Sequence, residues 1–248
     1  PCPSPQGGGG AQSQRFAMSL QSPIGPPVDS APAQRPARRA FDGAFVRLEP
    51  LGVAHARDLY EATHGPDREA IWRYLFTGPY ADFDSFEKYV AAGSQSADPM
   101  PWAVIDKRTG KAVGALSLMR IEPTHRVIEI GGITFGTPLQ RTCGSTEAIY
   151  LLARHIFEDL RYRRFEWKCD HFNAPSRRAA LRFGFVYEGL FRQHMIVKGR
   201  SRDTAWYAML DTEWPARKAA FEAWLAPSNF DADGRQKISL STLNGAGA

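Results

Sequence analysis

Pro138-Leu139-Gln140-Arg141-Thr142-Cys143-Gly144-Ser145-Thr146-Glu147 separates a β-type run ending at Phe135 from a helical run that begins near Gly144. A strand–turn–helix joint of this kind presents a helix N-terminus, carrying about half a positive charge and unpaired N–H groups, at the end of a strand. Gly144 and the small hydroxyl residues Ser145 and Thr146 suit the close approach of a phosphate, and Arg141 adds a bidentate cation. An equal alternative is that Ser145 and Thr146 only cap the helix. The stretch matches neither GxxxxGK[ST] nor GxGxxG, so the two nucleotide folds built on those motifs are excluded.

Outward from this joint the period of the apolar residues gives the elements. Downstream, Gly144–Leu160 is helical with Ile149, Leu152, Ile156 and Leu160 as one stripe. Arg164–Cys169 reads as a short strand. Ala174–Phe183 reads as a helix with Asn173 as N-cap, Pro175 in its first turn and Gly184 as stop. Val186–Val197 and Thr204–Leu210 are β-type, and Glu213–Leu225 closes as a helix. Upstream, Trp102–Asp106, Ala112–Ile121 and Val127–Phe135 form an antiparallel meander, preceded by helical patterns at Val53–Thr63, Arg68–Leu75 and Phe83–Ala92 and a strand at Ala44–Leu48. One long helix joining two strands of an otherwise antiparallel sheet requires a parallel pair at that point, and so a crevice where ligands bind. The fold class is α/β (α+β), a mixed, mostly antiparallel sheet flanked by helices.

Composition bounds the rest. The 248 residues are 43% hydrophobic and 23% charged, with no apolar run long enough to span a membrane. The net charge is +5, of which +3 falls in residues 1–40, leaving the body nearly neutral and without the basic stripe that nucleic acid requires. Eight of the 18 prolines and the Gly7–Gly10 run also lie in residues 1–40, which read as a disordered basic extension; the chain opens on Pro1, and Met18 is the earliest internal start. Residues 41–226 carry the domain, and 227–248 read as a flexible tail. Cys2, Cys143 and Cys169 have no CxxC spacing, and the six histidines show no paired ligand spacing, so neither disulfide nor metal is expected. A cytoplasmic protein is the expectation.

Several short patterns occur in a fixed order: Glu129-Ile130-Gly131, Arg141-x-x-Gly144-x-Thr146, Asn173-x-x-Ser176, Arg182-Phe183-Gly184-Phe185 with Glu188-Gly189, and Arg202-Asp203-Thr204-Ala205-Trp206-Tyr207. Together, from Ala44 to Asp211, they resemble the GNAT superfamily of acetyl-CoA-dependent N-acetyltransferases, whose pyrophosphate signature is Q/R-x-x-G-x-G/A. The branch most similar contains the ribosomal-protein N-terminal acetyltransferases. Thr146 departs from the signature at its last position.

The resemblance implies a GNAT fold with a central splay in the sheet, and direct attack of an amine on the acetyl-CoA thioester without a metal. An α-amine of pKa about 8 is partly neutral at pH 7, whereas a lysine amine near about 10.4 is almost wholly protonated. It implies that main-chain N–H groups of Ile133, Thr134 and Phe135 polarise the carbonyl, and that Arg141, Thr142, Cys143, Gly144, Ser145 and Thr146 hold the diphosphate. Asn173 reaches the pantetheine arm or serves as an N-cap. Glu129 is the first choice for base and Asp170 the second. Ser176, with Tyr187 as the alternative, protonates the leaving thiolate. Trp72 and Tyr74 line the substrate wall. Arg202–Asp203 reads as a structural ion pair, and no partner pattern makes Cys143 or Cys169 a nucleophile. The implied acceptor is a peptide N-terminus, with a ribosome or ribosomal protein as partner and a monomer or homodimer as the assembly. The alternatives are a small amine such as an amino acid, polyamine or antibiotic, and a non-catalytic acyl-CoA-binding module.

Overall fold

Side chains alternate across the strand Met100–Asp106, and that alternation sets up two layers. Met100, Trp102 and Val104 enter one apolar cluster, while Ala103 and Ile105 enter another on the opposite face. A sheet that is apolar on both faces must be covered on both.

The computed structural model describes residues 24–245. A short unit ends at Ser30, and its described residues 24–30 have no regular structure. The body begins at Ala31. Its strands are β1 (Phe41–Asp42), β2 (Val46–Pro50), β3 (Met100–Asp106), β4 (Ala112–Glu122), β5 (Val127–Phe135), β6 (Arg164–Asp170), β7 (Val186–Val197) and β8 (Arg200–Leu210). Among the described residues these form one eight-stranded sheet in the order β1-β2-β3-β4-β5-β6-β8-β7, antiparallel except for β5 beside β6. The parallel pair therefore stands where the long helical connection requires it. On one face lie α1 (Ala56–Thr63), α2 (Arg68–Trp72) and α3 (Phe83–Gln95), which close a cluster around Leu59, Trp72, Phe86 and Val90. The larger cluster, around Trp102, Leu116, Ile130 and Phe165, is covered by α4 (Cys143–Arg154), α5 (Ala174–Arg182) and α6 (Trp214–Leu225).

The long helix differs from its expected amphipathic form. α4 stops at Arg154 and continues as a π-helical turn over His155–Asp159, and Gly144 to Ala153 are all buried rather than only one stripe. The outer side is covered as well, because Tyr150 packs on Trp214 and Phe221 of α6. Glu147 is buried and has no ion-pair partner among the described residues: its carboxylate accepts the N–H groups of Ala44 (2.6 Å), Phe45 (2.7 Å) and Val46 (2.8 Å). The turn between β1 and β2 is thereby tied to the first turns of α4.

Parts of both flanking segments make defined contacts with the body. Residues 31–40 form no helix or strand, yet Ala33 donates to Pro123 O (3.0 Å), Arg35 to Ile121 O (3.2 Å), and Arg39 reaches His155 and Asp159. Composition cannot show this, since the arginines are held by backbone carbonyls and by residues more than a hundred positions away. Beyond α6, Asn229 donates to Trp224 O (3.2 Å) and Ile238 O (3.1 Å), and Leu240, in a short α7 (Leu240–Leu243), is wholly buried. Single apolar residues spaced along a polar segment give no periodic signal but still dock. The Gly7–Gly10 run, Cys2 and Met18 lie outside the described residues.

Replacing Glu147 by Ala strands three N–H donors at the root of α4. We expect Glu147→Ala to lose about 3 kcal/mol or more of unfolding free energy, measured by urea titration.

Candidate active site

β5 and β6 stay in register only from Val127↔Arg164 to Ile130↔Trp167. Beyond that point β5 bulges against β4 between Ala115 and Ser117, and Gly132 takes a left-handed backbone (φ 57°) that a side chain would strain. β6 runs straight on to Asp170. The strands part, and a cleft open to solvent lies between them, enclosing about 680 Å³ when the solvent at its mouth is counted.

Glu129, Ile133, Asp170, Asn173, Ser176 and Tyr74 all line this cleft, so the structure brings together six of the residues singled out by sequence. Glu129 is 3% exposed, and its Oε2 accepts from Arg120 (2.6 Å) and Lys168 Nζ (2.8 Å). Lys168 is itself buried, bridging to Glu166 Oε2 (2.6 Å) with its ammonium 3.9 Å from the centre of the Trp206 ring. Asp170 Oδ1 accepts the N–H of Phe172 (2.8 Å) and so shapes the turn into α5. Asn173 is the N-cap, its Oδ1 accepting from Ser176 N–H (3.2 Å), which leaves its amide nitrogen for the cleft. Ser176 Oγ accepts from the Trp167 indole (3.0 Å), and its hydroxyl also meets the Cys169 thiol.

Other assignments are displaced. Trp72 is 1% exposed, donates its indole N–H to Thr63 O (3.1 Å) and packs among His64, Tyr80 and Phe86; it belongs to the core and not to the wall of this cleft. Tyr74 does reach the cleft, and its hydroxyl donates to Phe172 O (3.0 Å) across the mouth. Tyr187 lies on β7, exposed and against Tyr207, away from the cleft lining. Thr134 and Phe135 pair with Ala115 and Gly114 of β4 and do not line the cleft. Arg202 and Asp203 do not pair: Asp203 accepts the Gln193 N–H (2.6 Å), and alternation along β8 sends Arg202 to the other face.

The loop before α4 also has a different internal logic. Thr142, not Ser145 or Thr146, is the N-cap, accepting the Ser145 N–H (3.3 Å). Thr146 is buried and accepts from Arg182 Nη1 (3.0 Å), so its departure from the signature points inward. A Cβ on Gly144 would meet Val46 Cγ1 at 2.7 Å, so the glycine serves the packing of α4 on β2. Arg141 is exposed in a left-handed turn (φ 61°), and the first-turn N–H groups of Cys143 and Gly144 have no helical partner by the rule for helix starts. None of residues 141–146 lines the cleft. Burial pushes the Cys143 and Cys169 thiols up, keeping both protonated near neutral pH.

Three charged or titratable cleft residues escaped the sequence reading, Arg120, Lys168 and His194, and Arg202, read there only as a partner of Asp203, also lines the cleft. The period of two along β6 places Glu166, Lys168 and Asp170 on one face, a charge series in an otherwise aromatic strand, and that was the available signal. His194 lies at the exposed rim with Nδ1 2.9 Å from Thr204 Oγ1. Partial desolvation, then the charges of Arg202, Arg120 and Lys168, hold its pKa below the usual histidine value against the opposing pull of Glu129. Among the described residues there is no cluster of three or more metal-ligating side chains, and no helix is long and apolar enough to cross a membrane.

Residues 46–186 match the family model "Acetyltransferase (GNAT) domain". The chain belongs to the GNAT acetyltransferase family. A GCN5-related N-acetyltransferase from Brucella melitensis is 49% identical over 87% of this chain and 98% of its own, with a TM-score of 0.85. A GNAT-family acetyltransferase from Chromobacterium violaceum ATCC 12472 is 39% identical over 78% of this chain and 99% of its own (TM-score 0.72). The ribosomal-protein-serine acetyltransferase of Escherichia coli (strain K12) is 32% identical over 98 residues, 40% of this chain; this chain spans about half (54%) of that relative's length.

Because Gly144 is fitted against β2, Gly144→Ala should cost about 1–3 kcal/mol of stability, read as a lowered urea midpoint at an unchanged m-value.

Proposed function

We propose that this GNAT acetyltransferase moves the acetyl group of acetyl-CoA to the α-amine of a polypeptide N-terminus. The observation that carries the reading is the divergence of β5 from β6, which leaves strand edges and a polar cleft where an acyl carbon and an amine can meet. The donor suits these residues: the start of α4 offers first-turn N–H groups, and the exposed Arg141 offers a guanidinium to a diphosphate. When bound, the thioester supplies an activated acyl carbon.

This chain's own groups then have distinct tasks. The edge of β5 from Gly131 to Ile133, which lines the cleft and has no partner on β6, directs main-chain N–H groups toward charge that develops on the acyl oxygen. His194 accepts the proton from the amine. A base of lowered pKa is adequate, because the nitrogen becomes far more acidic once bonded to carbon, and the neutral fraction of an α-amine of pKa about 8 needs no prior deprotonation. Glu129 fits this task less well, since Arg120 and Lys168 both occupy Oε2; it holds the two cations instead. Ser176 donates to the departing sulfur.

A peptide is favoured over a small amine by the apolar rings left exposed beside the cleft: Phe76, which lines it, is 44% exposed, and Phe172, whose carbonyl closes the mouth with Tyr74, is 73% exposed. The Escherichia coli relative is named as acting on serine of a ribosomal protein, which agrees. The ribosome as partner is part of the same proposal.

A thiol-release assay with acetyl-CoA and a panel of N-terminal peptides and small amines, with mass spectrometry of the product, tests the reading; acetylation confined to small amines would replace it. Arg141→Glu should weaken coenzyme A binding at least tenfold in calorimetry with the fold intact. The pH profile of kcat/KM should fall with slope one below the amine's pKa and steepen below the His194 pKa, which lies under the usual 6.5. In His194→Gln the rate should drop roughly a hundredfold and the second bend should vanish.

A further inference from the structure

Three cations face the cleft, and two of them are accounted for. Arg120 and Lys168 are held by Glu129, and Lys168 by Glu166 as well. Arg202 has no such acid. It is 7% exposed, yet among the described residues its guanidinium has neither a hydrogen bond nor an ion pair, and its Nε is sealed off without a partner. The Phe76 ring lies 5.1 Å from its central carbon, and the remaining donors open on the cleft beside Asp170, His194 and Thr204. A guanidinium buried with its donors unmet is costly, and proteins retain one where something else supplies the acceptor.

The nearest carboxylates are otherwise engaged. Asp170 takes the Phe172 N–H, Glu129 takes two cations, and neither comes within ion-pair distance of Arg202. Desolvation weakens the hold of Arg202 on its proton, which Asp170, Cys169 and Glu129 offset only in part. The cleft thus presents an unspent positive charge, and a planar fork of donors, to whatever enters it.

We propose that Arg202 is an anion subsite for the acceptor: the amine that is acetylated carries a carboxylate within a residue or so of its nitrogen, and that carboxylate docks on the Arg202 guanidinium. This rests on the acetyl-transfer reading and narrows its substrate class. With Arg120 and Lys168 compensated by Glu129 and Glu166, a bare cationic amine would leave the Arg202 donors unmet, whereas an amine bearing a carboxylate supplies their acceptor. The donor's phosphates are a poorer match, because the residues assigned to them, 141–146, lie outside this cleft.

The carboxylate has two sources, an acidic side chain early in a peptide and the free carboxylate of an amino acid, and paired substrates separate them. C-terminally amidated Ser-Glu peptides are compared with Ser-Gln peptides, and amino acids with their amides. The wild-type enzyme should prefer the carboxylate member of one pair by tenfold or more in kcat/KM, expressed mainly in KM. Arg202→Met should bring that ratio close to one, and Arg202→Lys should retain part of it. A wild-type ratio near one in both pairs, or a ratio unchanged in Arg202→Met, overturns the proposal. Equal losses on both members mean that the guanidinium only supports the fold, and weakened coenzyme A binding with the ratio intact assigns it to the donor; either result also overturns it. If Arg202→Met does not fold, the wild-type ratio and Arg202→Lys decide. If no amine is turned over, the acetyl-transfer reading fails by itself. Calorimetry with the same Ser-Glu and Ser-Gln peptides then tests the subsite, equal affinities counting against it.

Discussion

A parallel strand pair lasts only while both strands keep the same course, and in this protein it lasts for four register pairs. The left-handed turn at Gly132 and the bulge against β4 carry β5 away while β6 continues straight. Every other feature of the site depends on this parting. It leaves main-chain edges without strand partners inside a protein whose remaining strands are paired on at least one side, and such edges are stable only when a ligand or water meets them. The acyl group of a thioester is a ligand of suitable polarity for that edge. The same divergence brings the ends of β6 and β8 and the start of α5 to one cleft, so that side chains far apart in the chain act together.

The electrostatics follow from burial. Glu129 and Glu166 stand side by side in register across the parallel pair, and Lys168 lies between them with Arg120 completing the charge on Glu129. The result is a polar floor in which each charge is held by another at hydrogen-bond distance. His194 at the rim and Arg202 in the wall stand outside this lattice, and Arg202 has no ion-pair partner among the described residues.

The root of α4 shows how a motif can serve two purposes. Gly144, Thr146 and Glu147 all face inward, to Val46, Arg182 and the β1–β2 turn respectively. They lock the helix onto the sheet, and the lock fixes where its N-terminus points. Arg141 and the first-turn amides are the outward half of the same segment. A segment can therefore match a ligand-binding pattern at residues whose own packing is directed into the fold.

Periodicity along the chain located most of the elements: Val127–Phe135 and Val186–Val197 have the expected bounds and the long connection required the parallel pair, whereas β1, α7, the π-helical turn after α4 and the first residues of β8 carried no such signal. Glu129, Asp170, Asn173 and Ser176, singled out by motif order and strand ends, do come together in the cleft lining. Local patterns say nothing of which partner a side chain finds, and that is where tertiary structure decided. Trp72 became core, Tyr187 fell outside the cleft, Arg202 parted from Asp203, and residues 31–40 and 227–245 docked through isolated contacts that have no period. Burial and ion pairing depend on what arrives from distant segments, so the roles of Lys168, His194 and Arg202 existed only once β5, β6, β7 and β8 were folded side by side.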